Sequence, residues 1–184
     1  MIVILNGTSS SGKTTLAKAL QDTIDRPFLV VGIDTMVFAL PRRYLNEQWS
    51  EVFRYEYDGD RITDITPAAF GDQLAHGLHA AIAALAGAGI DLIVDHVVLA
   101  ESWAADLRKA LSGLDVLTVG VTCPLDVVEE RERSRKDRTL GQARAQFGKV
   151  HEYLAYDLTV DTSTASPSHC AAQVAAAVAE HYHI

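Results

Sequence analysis

The sequence predicts an α/β fold in which a five-stranded parallel sheet carries helices on both faces. Short apolar runs alternate with longer amphipathic stretches along the 184 residues, and this alternation is typical of parallel strands joined by crossover helices. The composition, with 48% hydrophobic and 22% charged residues, is that of a globular protein. A chain of this length buries roughly 70% of its unfolded surface. We therefore expect one domain over residues 1–184.

The first half of the chain begins with a buried strand and an amphipathic helix that are joined by a glycine-rich turn. Pro41 ends a second, shorter helix. Asp58-Gly59, between aromatic and β-branched residues, indicates a small hairpin. Thr66-Pro67 is typical of a helix cap followed by the first helical residue. In order, we predict a strand at 2–5, a helix at 13–24, a strand at 28–33, a short helix at 35–40, an irregular excursion at about 41–66 and a helix from 67 to about 88.

The second half continues the alternation of strands and helices. A third strand ends at Asp95, a fourth ends before Cys123-Pro124, and Ser166-Pro167 marks the start of an alanine-rich C-terminal helix. In order, we predict a strand at 92–94, a helix at 103–111, a strand at 116–121, a helix from 125 to about 135, a helix at 142–154, a strand at 158–160 and a helix from 167.

Charge and cysteine content exclude several classes of protein. Sixteen Lys and Arg against 24 Asp and Glu give a net charge of −8, which repels a phosphate backbone, so nucleic acid is not an expected partner. The weakly polar stretch at 79–90 is shorter than the roughly 18 residues that a membrane span needs. Cys123 and Cys170 show no C-x-x-C spacing, and no signal-peptide pattern is present. We expect a cytoplasmic protein with reduced thiols and no membrane partner; its oligomeric state stays open.

A phosphate-binding loop is the strongest motif. Residues 7–14 match G-x-x-x-x-G-K-[ST] without a mismatch, between a predicted strand and a predicted helix. Backbone N–H groups of such a loop face nucleotide phosphates. We expect Lys13 to reach the β- and γ-phosphates of ATP, Thr14 to place its hydroxyl on Mg²⁺, and Thr15 to bond an α-phosphate oxygen. The residues expected to bind ATP in this loop are Gly7, Thr8, Ser9, Ser10, Ser11, Gly12, Lys13, Thr14 and Thr15.

The absence of other motifs from the sequence excludes several classes of P-loop protein. A GTPase carries N-K-x-D for the guanine base, and this sequence contains none. P-loop motors are generally longer and carry oligomerisation segments. A small ATP-dependent kinase remains, and further residues have to support it, because the P-loop fold alone does not define a reaction.

Two carboxylates follow predicted strands at the sheet edge where ligands bind. Asp34 follows the second strand and is the expected general base for an acceptor hydroxyl. Its alternative role is the N-cap of the helix at 35–40, and the two roles are compatible. Asp95 ends the third strand, the position at which other P-loop proteins carry the Walker B carboxylate that holds Mg²⁺. Its alternative roles are a helix cap and a contact to the substrate.

A basic cluster interrupts the acidic chain. Five of the sixteen Lys and Arg residues lie within 131–138. One interpretation is a solvated helix face on which glutamates pair with basic residues four positions on. The run continues beyond the predicted helix, so we expect a lid at about 131–141. In this lid Arg131 and Arg135 would contact ATP, and Arg135 and Arg138 would act in catalysis together with Lys13.

The seven histidines complete no metal-site spacing with cysteines or acids. His76 and His79, one helical turn apart, are interpreted as ordinary helix residues. No metal other than nucleotide-bound Mg²⁺ is therefore expected, and Thr14 and Asp95 are its expected protein ligands.

Six motif regions are spread over nearly the whole chain. They are I-L-N-G-x-S-S-x-G-K at 4–13, G-I-D-T-M with A-L-P at 32–41, L-I-V-D-H-V at 92–97, D-V-L-x-V-G-V-x-C at 115–123, R-E-R-S-R-K-D-R at 131–138, and V-H-E-x-x-x-Y-D with V-D-T at 150–162. Together they resemble the chloramphenicol phosphotransferase family of P-loop kinases. Their joint spacing is far more specific than the phosphate loop alone.

The resemblance implies ATP-dependent phosphorylation of the primary hydroxyl of chloramphenicol, with Asp34 as the general base. The expected partner is thus a small hydroxylated molecule, an antibiotic such as chloramphenicol, to which phosphorylation would confer resistance. Two alternatives stay open. One is a related kinase for another antibiotic or a nucleoside-like acceptor of the tunicamycin type, and the other is a regulatory protein that binds ATP without transferring phosphate.

Overall fold

A computed structural model describes residues 1–135 and 140–181. Its main sheet has five parallel strands, as the sequence predicts, and a separate antiparallel hairpin holds two more. In chain order the strands are β1 (Ile2–Asn6), β2 (Phe28–Gly32), β3 (Phe53–Asp58), β4 (Arg61–Pro67), β5 (Asp91–His96), β6 (Val116–Thr122) and β7 (Leu158–Asp161). The hairpin consists of β3 and β4.

Helices cover both faces of the main sheet. In chain order they are α1 (Lys13–Thr23), α2 (Ile33–Phe38), α3 (Arg42–Leu45), α4 (Trp49–Val52), α5 (Ala69–Gly87), α6 (Glu101–Ala110), α7 (Leu125–Ser134), α8 (Gln142–Phe147) and α9 (Pro167–His181). Alternate residues of β1 enter two cores: Ile2 and Ile4 pack with α5 and α6, whereas Val3 and Leu5 pack with α1 and α9. None of these described helices has both the length and the apolar composition that crossing a membrane requires.

The strand order β2-β5-β1-β6-β7 gathers the predicted site residues at one edge. Leu5 near the end of β1 is level with Asp95 of β5, and Gly32 at the end of β2 is level with the same Asp95. Because all five strands run in one direction, their carboxyl ends meet at this edge, which is where open α/β sheets bind ligands. The phosphate loop after β1 and Asp34 after β2 therefore lie near Asp95.

The hairpin predicted around Asp58-Gly59 is present and forms a wall beside that edge. It packs against α8: the N–H of Ile62 donates to the carbonyl oxygen of Leu140 at 3.1 Å. The side-chain amide of Gln142 donates to the hydroxyl of Tyr55 at 2.7 Å. The excursion predicted as irregular is thus a set of short helices and a hairpin, and the hairpin is bonded to Leu140 at the end of the predicted lid and to Gln142 of α8.

The start of α5 was predicted two residues too early. Thr66 and Pro67 are not a helix cap and a first helical residue, because they pair with Arg54 and Phe53 in the hairpin. The helix begins at Ala69 instead. Pairing with a distant strand has overridden a local capping pattern, whose strength is only about 1 kcal/mol.

The predicted end of the helix at 142–154 is also wrong, because α8 ends at Phe147. The carbonyl oxygen of Val150, which a continuing helix would use internally, accepts a hydrogen bond from the side-chain amide of Asn6 at 2.7 Å. The same amide group also donates to the hydroxyl of Tyr156 at 2.8 Å. These long-range bonds take the chain out of the helical path and place residues 150–156 beneath the phosphate loop.

Two buried histidines and an aspartate connect β5 to the helices behind it. His79 Nε2 lies 2.9 Å from His96 Nε2, and His79 Nδ1 lies 2.7 Å from a carboxylate oxygen of Asp106. Because His96 Nδ1 accepts the N–H of Val97 at 2.9 Å, the His96 proton sits on Nε2 and faces His79. His79 then carries its proton on Nδ1 and donates it to Asp106. Far from being an ordinary helix residue, His79 is fully buried in a network that needs both rings neutral.

Stability is expected to fall as the pH falls below neutrality. Burial, followed by the nearby charges of His79 and Lys13, lowers the pKa of His96 from 6.5 to about 3, so the unfolded chain takes up a proton that the folded chain refuses. The loss begins near pH 6.5 and reaches about 2 kcal/mol at pH 5 for this group alone. Denaturant unfolding at pH 7.5 and pH 5.0 measures it. The drop should shrink by about that amount in His96→Gln and stay unchanged in His169→Gln, a substitution at an exposed position on α9; equal drops in all three proteins would contradict the assignment.

Candidate active site

The phosphate loop turns sharply between β1 and α1. Ser10 and Gly12 have φ angles of 61° and 93°, and left-handed residues in a turn bring successive N–H groups around a common anion-binding centre. Gly7 is also required by the packing of the sheet. A Cβ there would lie 2.3 Å from the carbonyl oxygen of Val121 in β6, so this glycine allows the loop to leave the sheet against a neighbouring strand.

Three hydroxyls in the loop, those of Ser9, Ser10 and Ser11, are buried and without a hydrogen-bond partner in the part of the chain that the structure describes. A buried polar group left unsatisfied costs roughly 1–3 kcal/mol, so such a cluster is suited to an anion that would accept from it. Lys13 is only 6% exposed, and its ammonium group donates to the carbonyl oxygen of Thr8 at 2.7 Å. The loop fits the phosphates of a nucleotide.

Thr14 and Asp95 form an oxygen pair at the mouth of the loop. The Thr14 hydroxyl donates to a carboxylate oxygen of Asp95 at 2.6 Å. Residues 1–135 and 140–181 contain no group of three or more His, Cys, Asp or Glu side chains placed to hold a metal. Mg²⁺ is commonly held by one or two protein oxygens together with substrate phosphates, so this pair fits Mg²⁺ brought in by a nucleotide.

Asp34 occupies the first turn of α2, which begins one residue before it at Ile33. The helix therefore starts two residues earlier than predicted, its N-cap is Gly32, and the capping alternative for Asp34 is wrong. The exposed Asp34 side chain lines a cavity of about 460 Å³ that Lys13, Thr14 and Asp95 also line. A carboxylate, the phosphate loop and the Thr14–Asp95 oxygen pair thus share one cavity.

The far wall of this cavity is aromatic. A strip of five rings runs from α6 through α4 to the hairpin, with successive centroids 5.3–6.3 Å apart: Trp103, Phe53, Trp49, Tyr55 and Tyr57. Phe38 of α2 lines the same cavity and is 62% exposed. Rings at such separations form stable edge or tilted pairs and offer faces to a flat ligand.

A second cavity, of about 550 Å³, also borders the loop. Its lining includes Pro167 and Cys170 at the start of α9. Ser10, Gly12 and Thr15 line both cavities, so the phosphate loop is accessible from each of them.

The three predicted lid arginines are differently placed. Arg131 on α7 donates to the carbonyl oxygen of Thr162 at 2.7 Å and to the hydroxyl of Thr162 at 3.2 Å, and it also lines the second cavity. Arg135 is exposed and lines both cavities. Arg138 lies outside the described residues.

Two glutamates of α7, Glu129 and Glu132, bond residues beyond their own helix. Glu129 bonds Arg144 on α8 at 2.6 Å, and this hydrogen bond lowers the pKa of Glu129. The buried Glu132 carboxylate accepts the N–H groups of Gly141 and Ala143, each at 2.8 Å. These two side chains tie α7 to α8 and to the residue before it, whereas Glu130 pairs with Arg133 on α7 itself at 2.9 Å, as on a solvated helix face.

Comparison with known proteins gives the family. The sequence model of the family described as chloramphenicol phosphotransferase-like protein matches residues 1–179. The chain belongs to the chloramphenicol phosphotransferase-like family. A relative in Mycobacterium tuberculosis strain H37Rv, which bears the provisional name O-phosphotransferase, is 33% identical over 174 residues; the match covers 91% of this chain and 77% of the relative. Family and fold together make the chain a phosphotransferase of the P-loop kinase type.

Solved structures agree on the fold of this family member. The tunicamycin resistance protein of Deinococcus radiodurans has a TM-score of 0.65 at 20% identity, covering 96% of this chain and 94% of that one. The APS kinase of Mycobacterium tuberculosis has a TM-score of 0.65 at 16% identity, with 96% of each chain covered. The shikimate kinase of Aquifex aeolicus has a TM-score of 0.62 at 15% identity, with 99% and 98% covered. At these sequence identities the structural similarity shows the fold alone.

Sequence reasoning missed side chains that shape the phosphate loop of this chloramphenicol phosphotransferase-like chain. The Thr162 hydroxyl donates to the carbonyl oxygen of Ser11 at 2.5 Å, and Gln146 accepts the N–H of Ser9 at 2.6 Å. Asn6 binds the chain beneath the loop, next to His151, whose pKa is lowered by burial and by the charge of Lys13. Asn6, His151 and Thr162 lie in the quoted family motifs, which was the available signal; Gln146 lies between two motifs and had none.

Proposed function

We propose that the protein transfers the γ-phosphoryl group of ATP to a hydroxyl of a small molecule. One observation carries the proposal. A single cavity brings Lys13, the Thr14–Asp95 pair and the Asp34 carboxylate together with an aromatic wall. A protein that only binds nucleotide has no use for an acceptor chamber beside the phosphates.

The phosphate loop and the arginines are assigned to ATP. Residues 7–15 would surround the phosphates, with the second cavity beside them for the rest of the nucleotide. Arg135 lines both cavities and would contact phosphate there, and Arg131 would support the same region through Thr162. Thr14 and Asp95 would hold Mg²⁺, which supplies neutralisation of phosphate charge when bound.

Asp34 is assigned to the acceptor. A hydroxyl is barely ionised at neutral pH, so a carboxylate within hydrogen-bond reach can orient it and remove its proton. The acceptor oxygen forms a bond to the γ-phosphorus, the bond from that phosphorus to the oxygen of ADP breaks and leaves its electron pair on ADP, and the proton passes to Asp34.

The aromatic strip supports a neutral acceptor with a flat or apolar body. Among the described residues that line the acceptor cavity, the charged side chains are Lys13, Asp34, Asp95 and Arg135, and all four are already assigned to phosphate, metal or proton transfer. A carboxylated or phosphorylated acceptor would lack a cation of its own in this lining. An antibiotic alcohol such as chloramphenicol fits, and its phosphorylation would confer resistance.

The proposal is tested by incubating the protein with ATP, Mg²⁺ and a panel of hydroxylated antibiotics that includes chloramphenicol and tunicamycin. Mass spectrometry should show one acceptor gaining a single phosphate, dependent on enzyme and ATP. Transfer to tunicamycin alone would replace the chloramphenicol-type acceptor with a nucleoside-like one. Tight ATP binding without transfer to any compound would favour the regulatory ATP-binding protein.

A further inference from the structure

Gln146 has a fixed orientation at the phosphate loop. It lies on α8, is 7% exposed, and its side-chain oxygen is 2.6 Å from the backbone nitrogen of Ser9. A backbone N–H can only donate, so the atom that faces Ser9 must be Oε1 and not Nε2. The two ends of the side-chain amide are thereby distinguished without further assumption.

The amino group of Gln146 is consequently held near the loop with donors to spare. Covalent geometry places Nε2 roughly 2.2 Å from Oε1, hence within about 5 Å of the Ser9 nitrogen. In residues 1–135 and 140–181 it donates to no protein acceptor, and Gln146 lines the same cavity as Lys13 and Asp34. The unpartnered Ser9 hydroxyl lies at the same place. This corner of the cavity holds the amino group of Gln146 and the hydroxyl of Ser9, both of which can donate to an anion.

Side-chain contacts hold the six-residue helix that carries Gln146 in place. The Glu132 carboxylate binds the N–H groups of Gly141 and Ala143 at its start. Gln142, one turn before Gln146, donates to Tyr55 in the aromatic strip, and Lys149 forms an ion pair with Asp64 of β4. Side chains supported in this way need no reordering when a ligand binds.

We propose that Gln146 is a further catalytic residue, whose Nε2 donates to an oxygen of the phosphoryl group in transfer while Oε1 holds Ser9. The inference rests on the proposed function. The transferred group carries its charge on peripheral oxygens throughout the step, and a preorganised donor beside those oxygens stabilises that charge. Gln146 gains and loses no proton, since the acceptor proton passes to Asp34.

The contact is tested by the affinities for ADP and for the β,γ-imido analogue of ATP, measured by calorimetry. Gln146→Glu keeps an oxygen for Ser9 and removes the amino group, and Gln146→Met removes it without adding charge. In both variants the analogue should lose roughly ten- to a hundredfold more affinity than ADP, the usual worth of a hydrogen bond to a charged group. Gln73→Glu, at an exposed position on α5, should leave both affinities unchanged.

Each contrary result has its own meaning. If Gln146→Met binds the ATP analogue and ADP with the same ratio of affinities as the parent, the proposal is overturned. Any change of that ratio in Gln146→Glu would then be due to charge repulsion alone. Equal losses for ADP and the analogue would reduce Gln146 to a support for the loop, and would overturn it as well. A parent protein that binds both nucleotides but phosphorylates nothing would refute the proposed transfer, while the ratio would still decide whether Gln146 contacts the γ-phosphoryl group.

Discussion

Lys13→Ala is expected to reduce phosphoryl transfer by three to five powers of ten while the protein stays folded. The magnitude follows, by analogy, from the 10³ to 10⁵ that a single arginine contributes to the transferred phosphoryl group. The ammonium group lies at the start of α1 inside the phosphate loop and donates to the backbone of Thr8 at 2.7 Å, a hydrogen bond that is local to the loop. Initial rates with a phosphorylatable acceptor and denaturant unfolding curves measure the two effects.

Lys18→Ala is the matched control for this substitution. Lys18 lies on the same helix, is exposed, and lines neither cavity. It loses the same charge, so its rate should equal that of the parent. A near-parental kcat in Lys13→Ala would remove the phosphate loop from the reaction, and an unfolded Lys13→Ala protein would require Lys13→Met, which keeps the buried stem.

Asp34→Asn is expected to lower kcat by about 10² to 10⁴, the usual contribution of a general base, with little change in ATP affinity. Asparagine has the same size and can still orient a hydroxyl, but it cannot take the proton. Because α2 begins at Ile33 and Gly32 is its N-cap, no cap is lost. Loss of a negative charge at a helix start costs roughly 0.3–1 kcal/mol.

Asp22→Asn, an exposed change on α1, controls for the loss of one negative charge. The comparison needs kcat at saturating acceptor and a separate binding measurement for the ATP analogue. If the folded Asp34→Asn protein phosphorylates its acceptor at the parental rate, the reaction proceeds without a base at this position. If only KM for the acceptor rises, Asp34 binds the hydroxyl without activating it.

The sheet and the phosphate loop could be predicted because their signals are local. Apolar runs mark β1, β5 and β6, and the loop is defined by spacing within eight residues. The errors arise where a distant partner decides. Thr66-Pro67 carries the pattern of a helix start, yet it pairs with β3 across the hairpin turn. No neighbouring residue reveals that pairing.

The side-chain contacts at the phosphate loop were even harder to predict, because they join residues that are far apart in the sequence. Ser9 and Gln146 are 137 residues apart, and the His79–His96 contact joins α5 to β5. Periodicity describes one element at a time, so it predicts which face is buried but not which polar side chains meet there. The aromatic strip was missed for the same reason, since its rings come from α4, the hairpin and α6.

The aromatic strip has a spectroscopic consequence. The chain contains two tryptophans, Trp49 and Trp103, and both line the acceptor cavity. Trp103 is fully buried and its indole N–H is bonded to Asp72 at 2.7 Å, whereas Trp49 is only partly buried. All indole emission of the protein therefore originates at the wall where an acceptor would rest. Occupancy of that wall can be followed by intrinsic fluorescence, without a label, without ATP and without knowing whether the bound compound is ever phosphorylated.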